Sequence, residues 1–205
     1  MNGCAIRAGR KTCKTYIAGS GRALASLLTE NEEGFLAFPV STSPEIGDDS
    51  ERAFLHPDSN YDNAGLRYLF GRLAELSRTA APQDEKTWAD ILRRLPPLAA
   101  DESGLMVDQF TRYEKSHRHF SHLMSVYPYR ITKRETDGEL IEKSLLNLET
   151  QGFGLWVGFS FVWAAALYAV AGNGEGARYM LRIFEECFVS PNGFHLNGDL
   201  KKRGV

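Results

Sequence analysis

The sequence predicts an all-α fold, on three observations. Apolar residues recur at helical spacing in several separate segments, glycines and prolines stand where those segments should stop, and strand-like alternation is confined to 34–40. A first helix is expected over Arg22 to Glu30. The next starts at Asp62, read as its N-cap, and runs to about Ser77, with Leu66, Leu69, Phe70, Leu73 and Leu76 on one face. Gln83 to Leu95 forms a further helix, stopped by Pro96 and Pro97. Another spans Asp137 to Glu149, burying Leu140, Ile141, Ser144, Leu145 and Leu148. Residues 156–171 are apolar almost all round, which marks a helix buried on most sides. Gly172-Asn173-Gly174 ends that helix and turns the chain into a partner at Glu175 to Phe188, with Ala177, Met180, Leu181 and Phe184 inward.

Composition narrows the class of function. The chain has 205 residues, 43% of them hydrophobic and 24% charged, enough for one sizeable core. Its net charge of -2 spreads both signs along the chain and gives no footprint for nucleic acid or an acidic membrane. The one basic cluster, Arg7, Arg10, Lys11 and Lys14, reads as a solvated terminus. Three cysteines, Cys4, Cys13 and Cys187, form no CxxC pair and are expected as free thiols. Neither the N-terminal stretch nor the longest apolar run has the form of a signal peptide or a membrane span, so a soluble chain without an export signal is expected.

Two long connections, Gly34 to Tyr61 and Pro97 to Ser121, exceed the length of ordinary loops and point to a site carried by loops. The second leads into EKSHRHFSHLMSVYP, which holds His117, His119 and His122 within six positions. Three readings of that run stand open. Zinc could use the three histidines with Glu114, although no HExxH pattern is present and no cysteine is near. The imidazoles could instead be hydrogen-bonded core groups at the mouth of a helix beginning near Ser121. In the third reading, His117, Arg118, His119 and His122, beside Tyr113, Phe120 and Tyr127, form a polar pocket wall that joins hydrogen-bond donors to aromatic faces, as sugar recognition requires. Carboxylates are offered by STSPE, with Glu45 followed by Asp48, Asp49 and Glu51. GFGLWVGFSFVW adds Trp156 at a helix mouth and Trp163, which reads first as helix core.

STSPE, NYD at a helix start, EKSHRHFSHLMSVYP, WVGFSFVWAAALYA and SPNGFHLNGD follow one another in the order seen in glycoside hydrolase family 95, the α-L-fucosidase and α-L-galactosidase group. The chain resembles that family from about Phe38 to Asp199. The resemblance implies an (α/α)6 barrel, of which this chain supplies about half, with long active-site loops. It divides the chain into a poorly matched segment at 1–33 and a partial catalytic domain at 34–205. It implies hydrolysis of terminal α-L-fucosyl or related bonds with inversion. Glu45 would be the general acid, with Asp48 and Asp49 helping to raise its pKa, and His117, Arg118, His119, His122, Trp156 and Trp163 would bind substrate. In the family, the asparagines that position water lie upstream of SPE and the assisting carboxylate lies downstream of the NGFHLNGD-like segment, so its counterpart is expected beyond Val205 rather than at Asp199. No cofactor or metal is expected. The expected partner is a fucosylated or related glycan, not nucleic acid or membrane, with self-association through apolar helix faces. The alternative function is a truncated, inactive sugar-binding or helical interaction module.

Overall fold

The computed structural model describes residues 15–47, 50–54, 58–80 and 82–198. The basic cluster, Cys4, Cys13, Asp48, Asp49 and Asp199 lie outside them. The described residues are mostly helical, with small strand pairs only, as part of an all-α toroid would be. Among the described residues no helix is long and apolar enough to cross a membrane.

The chain enters through helix α1 over residues 15–25. The helix expected at Arg22 to Glu30 is therefore shifted toward the N-terminus, and Thr29–Glu30 (β1) instead pairs antiparallel with Leu36–Ala37 (β2). Asn31 decides this. Its Oδ1 accepts from the Glu33 and Phe35 amides at 3.1 and 2.9 Å, and Gly34 takes φ 85°. A side chain that captures backbone donors in this way closes a turn where a helix would need those amides.

Helix α2, Asn60–Ala80, starts two residues earlier than expected. Its cap is Ser59, whose Oγ accepts from the Asp62 amide at 3.2 Å, while Asp62 stands in the first turn. Fully buried Asn60 accepts from the Ala99 amide and donates to the Ala99 and Met106 carbonyls, all within 2.8 Å. This one side chain fastens the start of α2 to the connection after helix α3, Pro82–Arg94. Helices α1, α2 and α3 share a core of Leu66, Phe70, Leu73, Trp88, Ile91 and Leu95, with Ile17, Ala18 and Leu24 packed against it. Burial of each large side chain contributes about 1.5–3 kcal/mol, which holds the hairpin together.

The hairpin of Ala100–Asp101 (β3) and Gly104–Leu105 (β4) then packs on helix α4, Arg134–Gln151. Gly104 is required here. Its φ is 117°, and a Cβ would stand 2.5 Å from Ser144 Oγ. Ser144 Oγ also accepts from the Leu105 amide at 2.9 Å, so the hairpin is both fitted and hydrogen-bonded to α4. The chain from 106 to 133 is irregular; Ser121–Leu123 is a single 3-10 turn rather than the start of a longer helix. α4 begins three residues before the expected Asp137. Asp137 has non-helical φ/ψ, and its carboxylate accepts from the Lys133 amide and the Thr136 hydroxyl.

Helices α5, Gly158–Ala171, and α6, Gly174–Phe188, form the expected hairpin. Gly172 adopts the left-handed conformation at φ 79°, and Asn173 Oδ1 accepts from the Gly176 amide at 2.8 Å. The second core, on α4, α5 and α6 with the 3-10 turn, includes Leu123, Ile141, Leu148, Phe161, Leu167 and Met180. Beyond α6 the chain folds back over the mouth of α5. A Cβ on Gly158 would meet His195 at 2.5 Å and the Leu196 carbonyl at 2.6 Å.

Candidate functional site

The site is built where the Ser41–Glu45 loop meets the histidine run. Ser41 anchors the loop's entry, donating to Asp62 Oδ2 at 2.7 Å and lying 2.8 Å from Ser59 Oγ. Burial raises the Asp62 pKa, against the hydrogen bonds from Ser41 and Ser59 that lower it. Two residues on, Ser43 Oγ lies 2.5 Å from Ser121 Oγ, 78 residues away in sequence, with both side chains buried. Glu45 follows at φ 57°, a left-handed conformation uncommon for a residue with a side chain. That turn sets its carboxylate against Arg118 and His119.

Arg118 donates from its guanidinium to Glu45 Oε2. His119 Nδ1 lies 3.3 Å from the same oxygen, without hydrogen-bond geometry. Burial holds the His119 pKa below its ordinary value, helped by His117 and Arg118 and opposed by Glu45 and the Pro44 carbonyl. His117 is fixed at its ring and at its backbone. Its Nδ1 lies 3.0 Å from the His119 amide and 3.3 Å from the His119 carbonyl, and its backbone amide donates to the Tyr113 hydroxyl at 3.0 Å. Tyr113 is buried, which pushes its pKa up to about 12 and keeps the hydroxyl neutral. The carboxylate itself is half-exposed, with 52% of the Glu45 side-chain surface accessible. The burial expected around a general acid is thus not supplied by the described residues, and Asp48 and Asp49, expected to assist it, lie outside them.

The other sequence-predicted residues take different places. His122 is fully buried, stacked on Tyr113 with ring centroids 4.5 Å apart. Burial, with a smaller contribution from His117, depresses its pKa to about 3, so it is a neutral group behind the wall. Trp156 is also buried, against Phe120, Phe153 and Phe161. Trp163 is only half-buried; it packs on Phe120 and Phe159 and donates to the Tyr127 carbonyl at 3.2 Å. The wall is tied to α5 by Ser160, whose Oγ donates to the Arg118 carbonyl at 2.8 Å. Ser43, Ser121 and Ser160 thus do positioning work that sequence reasoning missed. A lone serine, in a loop or at the first turn of a helix, carries no charge and no apolar face to mark it.

Beside the Glu45 loop lies a cavity of about 310 Å³ lined by Thr42, Ser43, Ile46, Val107, Asp108 and Thr111 among others. A larger groove of about 680 Å³, between α2 and the start of α4, is lined by Arg67, Tyr68, Tyr129 and Lys133 among others and by none of the predicted site residues.

Helix pairs and their connecting loops thus bring a carboxylate, a guanidinium and imidazoles together beside aromatic rings. The chain belongs to the glycosyl hydrolase family 95 catalytic domain family, which matches residues 15–197. It is 27% identical over 175 residues to Alpha-L-fucosidase 2 of Arabidopsis thaliana. That match covers 79% of this chain and 20% of the relative, so the matched region spans about one fifth of that protein's length.

Proposed function

We propose that this chain is part of a catalytic domain that hydrolyses terminal α-L-fucosyl or related glycosidic bonds with inversion, Glu45 acting as general acid. The observation that carries the reading is the convergence of Glu45 with Arg118 and His119, 73 and 74 positions away, on one oxygen of its carboxylate. In such a reaction the acid protonates the leaving oxygen as its bond to the anomeric carbon breaks. Water, activated by a second group, adds from the opposite face. Arg118 and His119 hold the carboxyl in one orientation, while His117 and the exposed edge of Trp163 are the polar and stacking contacts for the sugar. His122 and Trp156 act from behind, by fixing Tyr113 and Phe120.

The half-exposure of Glu45 favours a second reading, in which the same wall binds the sugar and does not cleave it. Hydrolysis of an aryl α-L-fucoside by the protein that carries this chain together with the rest of the catalytic domain, with NMR of the first anomer released, separates the two. The hydrolase reading expects the β-anomer first, and a loss of about 10²-fold or more in rate with Glu45→Gln. Unchanged rate in Glu45→Gln removes Glu45 as the acid. Calorimetric heat with L-fucose and no sugar release moves the assignment to binding.

A further inference from the structure

The groove between α2 and the start of α4 lies apart from the Glu45 wall and carries a chemistry of its own. We propose that it is a second carbohydrate site, which binds an anionic saccharide through carboxylate or sulfate groups on its sugar rings. Saccharide as the ligand class rests on the glycosidase reading; the anionic character follows from the groove itself. Its volume of about 680 Å³ is that of a small-molecule site.

Four cationic side chains, Arg67, Arg72, Arg130 and Lys133, line the groove against one carboxylate, Asp137, in a chain whose net charge is -2. That carboxylate is engaged at its own helix start, accepting from the Lys133 amide and the Thr136 hydroxyl. Arg72 is paired with Glu75. Among the described residues, Arg67, Arg130 and Lys133 form no ion pair. Arg67 is partly buried and donates to Asn63 Oδ1 and to the Leu95 and Pro96 carbonyls. Burial lowers its pKa, and no carboxylate opposes the shift. Neutral acceptors thus orient this charge without neutralising it, and a partly desolvated charge gains most from an opposite one.

Arg130 stands on a rigid turn. It takes φ 53°, a left-handed conformation, while the amides on either side, of Tyr129 and Ile131, donate to the Met124 and Ser125 carbonyls at 3.0 and 2.9 Å. Thr132 adds bonds from its amide and its hydroxyl to Ser125 at 3.0 and 2.9 Å. Backbone held in a sparsely populated conformation clusters at ligand sites, and here it fixes where the exposed guanidinium starts. Arg130 and Lys133 also line an adjoining recess of about 120 Å³ with Arg134 and Glu135, so the cationic surface continues beyond the groove. Tyr68 and Tyr129 stack with ring centroids 5.0 Å apart, and the Arg72 guanidinium lies 5.5 Å from the Tyr68 centroid. Aromatic rings beside guanidinium donors suit a sugar that packs its C–H face on the one and presents charged oxygens to the other.

The experiment is calorimetric titration of the protein that carries this chain together with the rest of the catalytic domain. Its probes are trigalacturonate, the methyl ester of trigalacturonate and a sulfated fucose trisaccharide. One anionic trisaccharide per chain is expected, and the tighter of the two tells a carboxylate from a sulfate. The ester keeps the sugar and loses the charge, so it should bind about tenfold more weakly. Arg130→Gln and Lys133→Gln should each weaken the anionic probe about fivefold, and together about 20-fold. Hydrolysis of a small aryl α-L-fucoside should not change in either variant. No binding of either anionic probe, an ester that binds as tightly as the acid, or an unaffected double variant each overturns the proposal. So does hexaglutamate binding as tightly as the saccharides, or loss of the anionic probe in Glu45→Gln, which would place the anion at the Arg118 wall. The hydrolase reading fails separately, through absence of sugar release from the aryl fucoside.

Discussion

Removing one hydroxyl from the Ser43–Ser121 pair should cost more per group than removing both. The two oxygens lie 2.5 Å apart, and the residues are 5% and 2% exposed, so water does not reach either. Ser121→Ala leaves the Ser43 hydroxyl buried and without this partner, a loss of about 1–3 kcal/mol. Ser43→Ala mirrors it. The double variant carries neither polar group, so both desolvation penalties vanish. Its cost should fall short of the sum of the singles by about 1–2 kcal/mol. Urea unfolding of the four proteins, followed by tryptophan fluorescence and far-UV circular dichroism, measures this cycle. Additivity to within about 0.5 kcal/mol would refute the argument, because distant or solvated groups behave that way. The pair bears on the site as well as on stability. Ser43 precedes Glu45 by two residues and Ser121 follows His119 by two, so the same contact sets the carboxylate opposite the imidazole.

Two further outcomes follow from buried groups elsewhere. His122 binds a proton near its ordinary pKa when unfolded and only near pH 3 when folded. The unfolded state therefore holds the extra proton between those values, and stability should be full above about pH 6.5 and fall on acidification, by up to about 1.4 kcal/mol per pH unit. His122→Gln should flatten that slope in urea titrations between pH 4 and 7; an unchanged slope would show that His122 is not enclosed. Gly104→Ala places a Cβ 2.5 Å from Ser144 Oγ and 2.6 Å from its Cα, at φ 117°. Backbone strain and overpacking together should cost about 3 kcal/mol. The urea midpoint should drop with little change in slope, and an unmoved midpoint would contradict the close approach of the hairpin to α4.

Much of the fold is legible in the sequence because helix formation is a local matter. Leu66, Phe70 and Leu73 share a face by spacing alone, and Gly172-Asn173 ends one helix and caps the next whatever surrounds them. The errors fall where a side chain competes for the backbone. Asn31 turns the chain away from helix, Ser59 takes the cap read onto Asp62, and Asp137 interrupts α4 instead of starting it.

What the sequence determined by itself is the helical class, the order of the hairpins and the family, since apolar periodicity and extended motifs survive without knowledge of contacts. What only the tertiary structure decided is the arrangement of the site. His117, His119 and His122 lie within six positions, yet two face Glu45 and the third is sealed against Tyr113. The irregular segment that carries them has no repeating angle from which side-chain direction could be read. Their orientation is set by Tyr113, by the Ser43–Ser121 contact and by Ser160 on α5, and these meet only when the chain's two cores are assembled around them.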